Sequence, residues 1–199
     1  MLRVLEVAAE RGVDSIWVGR DLGYRGGRRT GFAFTDDVHI HDYARRWGIS
    51  IFKPTSGEKY AERTATVVWR VLSRITLPVF LWNVFPLHPH EPGNHFSNRS
   101  HSNLERKAGE QLLAHVIGLL KPRRLVAIGN DAARVVSNLG AECDVLHVRH
   151  PSHGGQGIFV ARMCEWYGLD EKSMEPDHGT LKQCVAPMRT FNTAGPVRA

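Results

Sequence analysis

Three short constellations carry residue types able to act on a small, flat, polar ligand. The first runs from Gly19 to Thr35, GRDLGYRGGRRTGFAFT, and opens directly after an apolar run. A carboxylate at Asp21, in such a strand-end loop, caps the next helix, pairs with Arg20 or Arg25, or orients a water. The glycines around it permit close backbone approach by a ligand, although their spacing is not the GxGxxG of a dinucleotide site. The second constellation, LWNVFPLHPHEPGNHFSNR, spans 81–99, and in it Asn83 closes an apolar run. A buried amide must find partners. It is either a backbone cap or, offering donor and acceptor side by side, a bidentate reader of a base edge. The third, RHPSHGGQGIF at 149–159, places His150 just beyond another apolar run. There it is a structural histidine or a donor to a ligand oxygen. His147, His150 and His153, or the pair His88 and His90, also raise the alternative of a metal-dependent hydrolase. Against that, His147 falls inside an expected strand, the other two lie beyond it, and no acidic triad accompanies them.

These groups need elements to position them. Four apolar runs, 15–18, 79–82, 125–128 and 145–148, are short and rich in branched or aromatic side chains. They read as strands buried on both faces of a parallel sheet. Helical patterns lie between them. Leu104, Ala108, Leu112, Val116 and Leu120 recur every four residues, widened by Leu113 and Ile117, and Ser102 with Glu105 marks a capping-box start. Asn130 is expected to cap a second helix, and residues 61–73 form a third. The alternation implies an α/β fold, with a central, mostly parallel four-stranded sheet. In such sheets functional residues gather at the carboxyl ends of the strands. Those ends here hold Arg20 and Asp21, Asn83, Gly129 and Asn130, and Arg149 to Ser152.

Bulk composition narrows the class. A chain of 199 residues, 42% hydrophobic and 23% charged, suits one compact domain with a real core. Residues 1–199 are taken as that single domain, with about 191–199 a loose tail. A net charge of +6 favours a polyanionic partner such as nucleic acid. Three cysteines, Cys143, Cys164 and Cys184, without a CxxC pair, provide neither a disulfide framework nor a metal signature. With no apolar stretch long enough to span a bilayer and no secretory leader, a cytoplasmic protein without membrane contact is expected.

Taken in order, the motifs resemble those of the uracil-DNA glycosylase superfamily. Gly19-Arg20-Asp21-Leu22 resembles that family's G-x-D-P-Y-H motif, and Gly31-Phe32-Ala33-Phe34-Thr35 resembles the G-L-C-F-S segment that follows it. Asn83 matches the base-reading asparagine, Pro92-Gly93-Asn94 resembles a PGN element of the iron–sulfur branch, and His150-Pro151-Ser152 matches the closing H-P-S. The resemblance covers about residues 15–159. Leu22 stands where proline is usual, Gly23 where the main branch has tyrosine, and three cysteines cannot supply a four-thiolate cluster. The chain thus resembles an outlying branch without an iron–sulfur cluster.

The resemblance implies a three-layer αβα sandwich and a DNA glycosylase that flips a base from the duplex and cuts its N-glycosidic bond. Asp21 and His150 are then the catalytic residues, the first orienting a water and the second stabilising the departing base anion. Phe34 stacks on the base, Asn83 reads its pairing edge, and Arg20, Gly23 and Tyr24 complete the base site. Ser152, His153, Gly154 and Gln156 press into the minor groove, and Arg25, Arg28, Arg29 and Arg149 meet phosphates. No metal or organic cofactor is implied. The partner is DNA containing uracil or another damaged base, and a monomer without an obligate protein partner is expected. The other alternative is a relative that binds damaged DNA but has lost the chemistry.

Overall fold

A computed structural model describes residues 1–174, so the tail expected at 191–199 and Cys184 lie outside the described residues. Four strands, β1 (Ser15–Gly19), β2 (Val79–Asn83), β3 (Arg124–Ile128) and β4 (Asp144–Val148), form one sheet in the order β2-β1-β3-β4. Every pairing is parallel. Seven α-helices accompany them among the described residues: α1 (Leu2–Arg11), α2 (Gly27–Thr30), α3 (Ile40–Trp47), α4 (Arg63–Leu72), α5 (Asn103–Leu120), α6 (Asn130–Leu139) and α7 (Gln156–Tyr167). The chain steps one way along the sheet from β1 to β2, and the other way from β2 to β3 and on to β4. Right-handed crossovers therefore place α4 on one face and α5 and α6 on the other. Helix α7 packs against α4. The α/β layering read from the alternation is the fold found.

β2 and β4 are the two edge strands, yet β2 is buried along its whole length like β1, whereas in β4 Val145 is 45% exposed and only Leu146 and Val148 are buried. The expectation of burial on both faces therefore fails for β4, whose outer face is left uncovered. The core between the layers is mostly aliphatic, with large aromatic side chains set into it. Trp17, Tyr43, Phe80 and Phe159 are fully buried, and the Trp17 indole N–H donates to the Tyr167 hydroxyl at 2.8 Å.

Two helix assignments need correction. The stripe read through Leu104 and Leu112 is not the buried face of α5, as these leucines are 80% and 50% exposed. The buried line is Gly109, Leu113, Val116 and Leu120. Successive four-residue steps advance about 400° each on a 3.6-residue helix and drift off the contact face, while alternating steps of four and three stay on it. The start of the helix is as read: Ser102 and Glu105 form a reciprocal capping box. For α6 the N-cap is Gly129, and Asn130 is the first helical residue.

Gly109 sets how closely α5 crosses the end of the sheet, since a Cβ there would overlap the Val84 carbonyl oxygen just past β2. Gly118 in the same helix has nothing within 4 Å of such an atom. Gly118→Ala is expected to stabilise the fold by up to about 1 kcal/mol through helix propensity alone. Gly109→Ala should lower the unfolding midpoint, because backbone must move to admit the methyl group. Urea or thermal midpoints of the two variants test this, and shifts in the same direction would show that the close approach is wrong.

Candidate functional site

The carboxyl ends of all four strands open into one cavity of about 490 Å³, within the size range of pockets that enclose small ligands. β1 delivers Arg20 and Asp21, β2 delivers Asn83, β3 delivers Ile128 with Gly129 and Asn130, and beyond β4 come His150, Ser152 and His153. The loop from Leu22 to Thr35 contributes Gly23, Tyr24, Arg25 and Phe34. Ten of the fifteen residues given roles from the sequence thus line a single cavity: Arg20, Asp21, Gly23, Tyr24, Arg25, Phe34, Asn83, His150, Ser152 and His153. Arg28, Arg29, Arg149, Gly154 and Gln156 lie outside its lining. Arg149 reaches the His153 carbonyl at 3.3 Å, and Gln156 is the first residue of α7.

Gly19 organises the interior of this cavity. It pairs in register with Asn83 across the β1–β2 ladder, and a Cβ at Gly19 would overlap both the Asn83 Oδ1 and the ring of Phe34. Only a residue without a side chain lets the amide and the ring meet there. Asn83 is 3% exposed. Phe34 adopts a left-handed backbone at φ 52°, which is costly for a non-glycine residue and needs support from its surroundings. That support is a relay of packed polar groups. The Trp69 indole N–H donates to the Phe34 carbonyl at 3.1 Å, and the Trp69 ring stacks on His39 at 5.5 Å. His39 bonds the fully buried Asp36 through Nδ1 at 2.7 Å. Burial alone would raise the Asp36 carboxyl, but hydrogen bonds from His39 and the Glu62 amide bring it below the ordinary carboxylate value.

Asp21 sits near the protein surface with 9% of its side chain exposed. Arg20 Nε donates to its Oδ2 at 2.9 Å, and His101 Nδ1 lies 3.3 Å from the same oxygen. Of the roles open to this carboxylate, the ion pair with Arg20 is made and helix capping is not, the N-cap of α2 being Gly26. Both contacts use Oδ2, which leaves Oδ1 able to accept from a water.

His150 is held in one tautomer. The Ser152 backbone N–H donates to its Nδ1 at 3.2 Å, with the Ser152 hydroxyl 2.8 Å from the same nitrogen. A ring nitrogen that accepts from an amide carries no proton, so the neutral ring bears its hydrogen on Nε2. Burial, then the positive charges of Arg20 and His153, push His150 down from 6.5 to about 4. At neutral pH it is an uncharged N–H donor.

Other residues in or behind the cavity wall had no signature in the sequence. His101 reaches Asp21 from just before α5, and its side chain is 8% exposed. Glu62 enters the wall while capping α4, accepting from the Thr64 and Ala65 amides. Asn98 accepts from the Tyr24 N–H at 3.0 Å. A polar residue next to a capping box, or an Asn in a Pro- and Gly-rich loop, is too common a pattern to single out these three. One expected phosphate contact is corrected. Arg29 turns inward, pairing with the fully buried Asp37 and donating to the Glu58 carbonyl at 3.2 Å, because a buried carboxylate needs a cation more than the surface does. Arg28 is also engaged, donating to the Tyr24 carbonyl and lying over the ring of Phe96. Among the described residues no three His, Cys, Asp or Glu side chains converge as metal ligands, and no helix is long and apolar enough to cross a membrane.

The family model described as the Uracil DNA glycosylase superfamily matches residues 12–158. That span contains Asp21, Phe34, Asn83 and His150 and all four strands. No curated protein matches the chain significantly. The family match supports a glycosylase-type function on DNA. With its parallel sheet and its single cavity at the strand ends, the chain belongs to the uracil-DNA glycosylase superfamily.

Proposed function

We propose that the protein hydrolyses the N-glycosidic bond of uracil in DNA, together with other deaminated or damaged bases, as a monofunctional glycosylase of base-excision repair. The observation that carries this reading is the sharing of one cavity by a carboxylate, Asp21, and a neutral imidazole, His150, beside the ring of Phe34 and the amide of Asn83. The flipped base stacks on Phe34, and the Asn83 amide pairs with its edge. As the bond from C1′ to the base nitrogen breaks, its electron pair leaves with the base and positive charge develops on the sugar. Asp21, through Oδ1, orients a water that adds to C1′ and gives up one proton toward the carboxylate and solvent. His150 donates from Nε2 to the base oxygen on which negative charge gathers. No step in this scheme needs a metal ion. Arg25, Arg149 and the Ser152–Gln156 turn are assigned to the DNA backbone and groove on this reading.

Asp21→Ala and His150→Ala should each slow single-turnover uracil release by roughly 10²-fold or more, the scale of one preorganised charge or donor. DNA affinity should change far less, and chelator should leave the wild-type rate intact. Near wild-type rates in Asp21→Ala would reduce the carboxylate to an ion-pair partner of Arg20. Binding to abasic DNA with no base release by the wild type would identify a non-catalytic relative instead.

The depressed His150 also sets a pH dependence. Its neutral form persists well below 6.5, so the rate should pass through pH 6.5 without an inflection due to this group. The unfolded chain takes up a proton near 6.5 while the folded one resists until about 4. The contribution to stability is therefore full above pH 6.5 and lost as pH falls through that window. Unfolding free energies measured from pH 8 to 4 should decline less steeply in His150→Gln. Identical slopes would mean that the ring titrates normally.

Gly23 governs breadth of substrate. A Cβ at this cavity-lining residue would meet nothing within 4 Å, whereas the neighbouring Tyr24 lines the cavity with Arg25 over its ring at 5.1 Å. Open space at Gly23 admits substituted bases, including purine lesions such as xanthine or hypoxanthine, beside uracil. Steric exclusion is a strong filter, so Gly23→Tyr should narrow the range while uracil release continues. Rates of both proteins on uracil and on hypoxanthine decide it. Rejection of every larger base by the wild type would assign closure of the pocket to Tyr24.

A further inference from the structure

We propose that Phe96 and Arg28 form a stacking shelf for an unpaired base next to the nucleotide in the cavity, giving the protein a preference for single-stranded or locally opened DNA. The inference rests on the glycosylase reading for its ligand, and on three features of the loop between β2 and α5 for its geometry.

The first is exposure. Phe96 is 69% exposed, although a phenyl ring gains nothing from water and thirteen of the sixteen aromatic side chains among the described residues are buried or half-buried. The second is that the backbone carrying the ring is held in place. Its own amide donates to Asn94 Oδ1 at 3.1 Å, and the Ser97 hydroxyl donates to the Asn94 carbonyl at 2.8 Å and accepts from the Glu91 amide at 2.9 Å. Arg99 then fastens the loop to α5, with two hydrogen bonds of 2.7 Å to the Glu105 carboxylate and one of 2.9 Å to the His90 carbonyl. An exposed aromatic on a pinned backbone has less conformational freedom to lose when a ligand covers it.

The third feature is location. Two residues on, Asn98 lines the cavity and accepts the Tyr24 N–H. From the other side, Arg28 donates Nε to the Tyr24 carbonyl at 3.3 Å and sets its guanidinium 4.8 Å from the Phe96 ring centre. Shelf and cavity therefore share the Tyr24 segment as a common wall. Aromatic side chains flanked by arginine are the usual platform for unpaired bases, since every base has a face to stack and the cation meets the phosphates. A base inside an intact duplex has both faces covered by its neighbours and cannot use the shelf. An unpaired flanking base can.

The test separates stacking from catalysis. Single-stranded oligonucleotides carry a stable abasic-site analogue, with fluorescent 2-aminopurine at each of the two positions on either side in turn. Full-length wild-type protein should change the fluorescence at one of these positions. Phe96→Ala should abolish that change and weaken single-strand affinity by roughly tenfold or more, while fully paired DNA with the same analogue loses much less. Phe96→Trp should restore both. Equal weakening on single and paired strands, or the same fluorescence response in wild type and Phe96→Ala at every position, overturns the shelf, as does a wild type that leaves every position unchanged. Absence of base release from uracil DNA, with the fluorescence change intact, would defeat the glycosylase reading and leave the shelf standing.

Discussion

The site depends on the absence of a side chain at Gly19. In-register parallel pairing brings the last residue of β1 opposite the last residue of β2, which puts the Asn83 amide directly over the Gly19 α-carbon. The ring of Phe34 reaches the same spot from a loop fifteen residues further on. A methyl group would collide with both. This contact couples three segments that no sequence proximity connects. It turns a hydrogen-bonding amide and an apolar ring into neighbours suited to a flat ligand having an edge and a face. Asp21 follows two residues after Gly19, so the same strand end that admits the ring also aims the carboxylate.

Such a contact needs buttressing, because Phe34 occupies a backbone region that non-glycine residues avoid. The support comes from behind the cavity, where Asp36 and Asp37 are fully buried and each is tied to cations or amides. Asp36 accepts from the Val38, His39 and Glu62 amides, and Glu62 in turn caps α4. Helix α4 carries Trp69, whose indole N–H returns to Phe34. The loop, the helix cap and the strained residue thus close into a ring of interactions. His153, the other left-handed non-glycine residue among the cavity's lining, stands on the opposite sequence segment, so departures from relaxed backbone are concentrated at the cavity.

Much of this was legible in the sequence, for physical reasons. Strands that alternate with helices can form only a few sheet topologies, and parallel sheets expose their working residues at one end. Asp21, Asn83 and His150 each stood just past an apolar run, so their convergence followed from the class of fold. What was not legible depended on side-chain direction. Arg28 and Arg29 are adjacent and chemically alike, yet one faces Phe96 and the other a buried carboxylate. His101 reaches Asp21 only because α5 starts beside β1's end, a matter of packing that leaves no local pattern. The misread stripe of α5 has the same origin: leucines occur on both faces of that helix, and Gly109, the residue that makes its contact with β2, contributes no hydrophobicity to read.

One charged side chain acts on both groups assigned to the chemistry, although it neither binds water nor donates to a leaving group in the proposed scheme. Arg20 Nε pairs with Asp21, and Nη1 lies 3.9 Å from Asp131 at the start of α6. Its positive charge is also the second cause, after burial, of the depressed His150. A single guanidinium therefore pairs with the carboxylate and disfavours the protonated imidazole. Glycosidic cleavage that separates a sugar cation from a base anion calls for that combination: negative charge beside the sugar, and a neutral donor beside the base. An imidazolium would meet the base anion with a full charge, but its Nδ1 would have to give up the Ser152 amide that orients the ring. Keeping His150 neutral preserves its aim, and the arginine that favours this state is held in place by the carboxylate it serves.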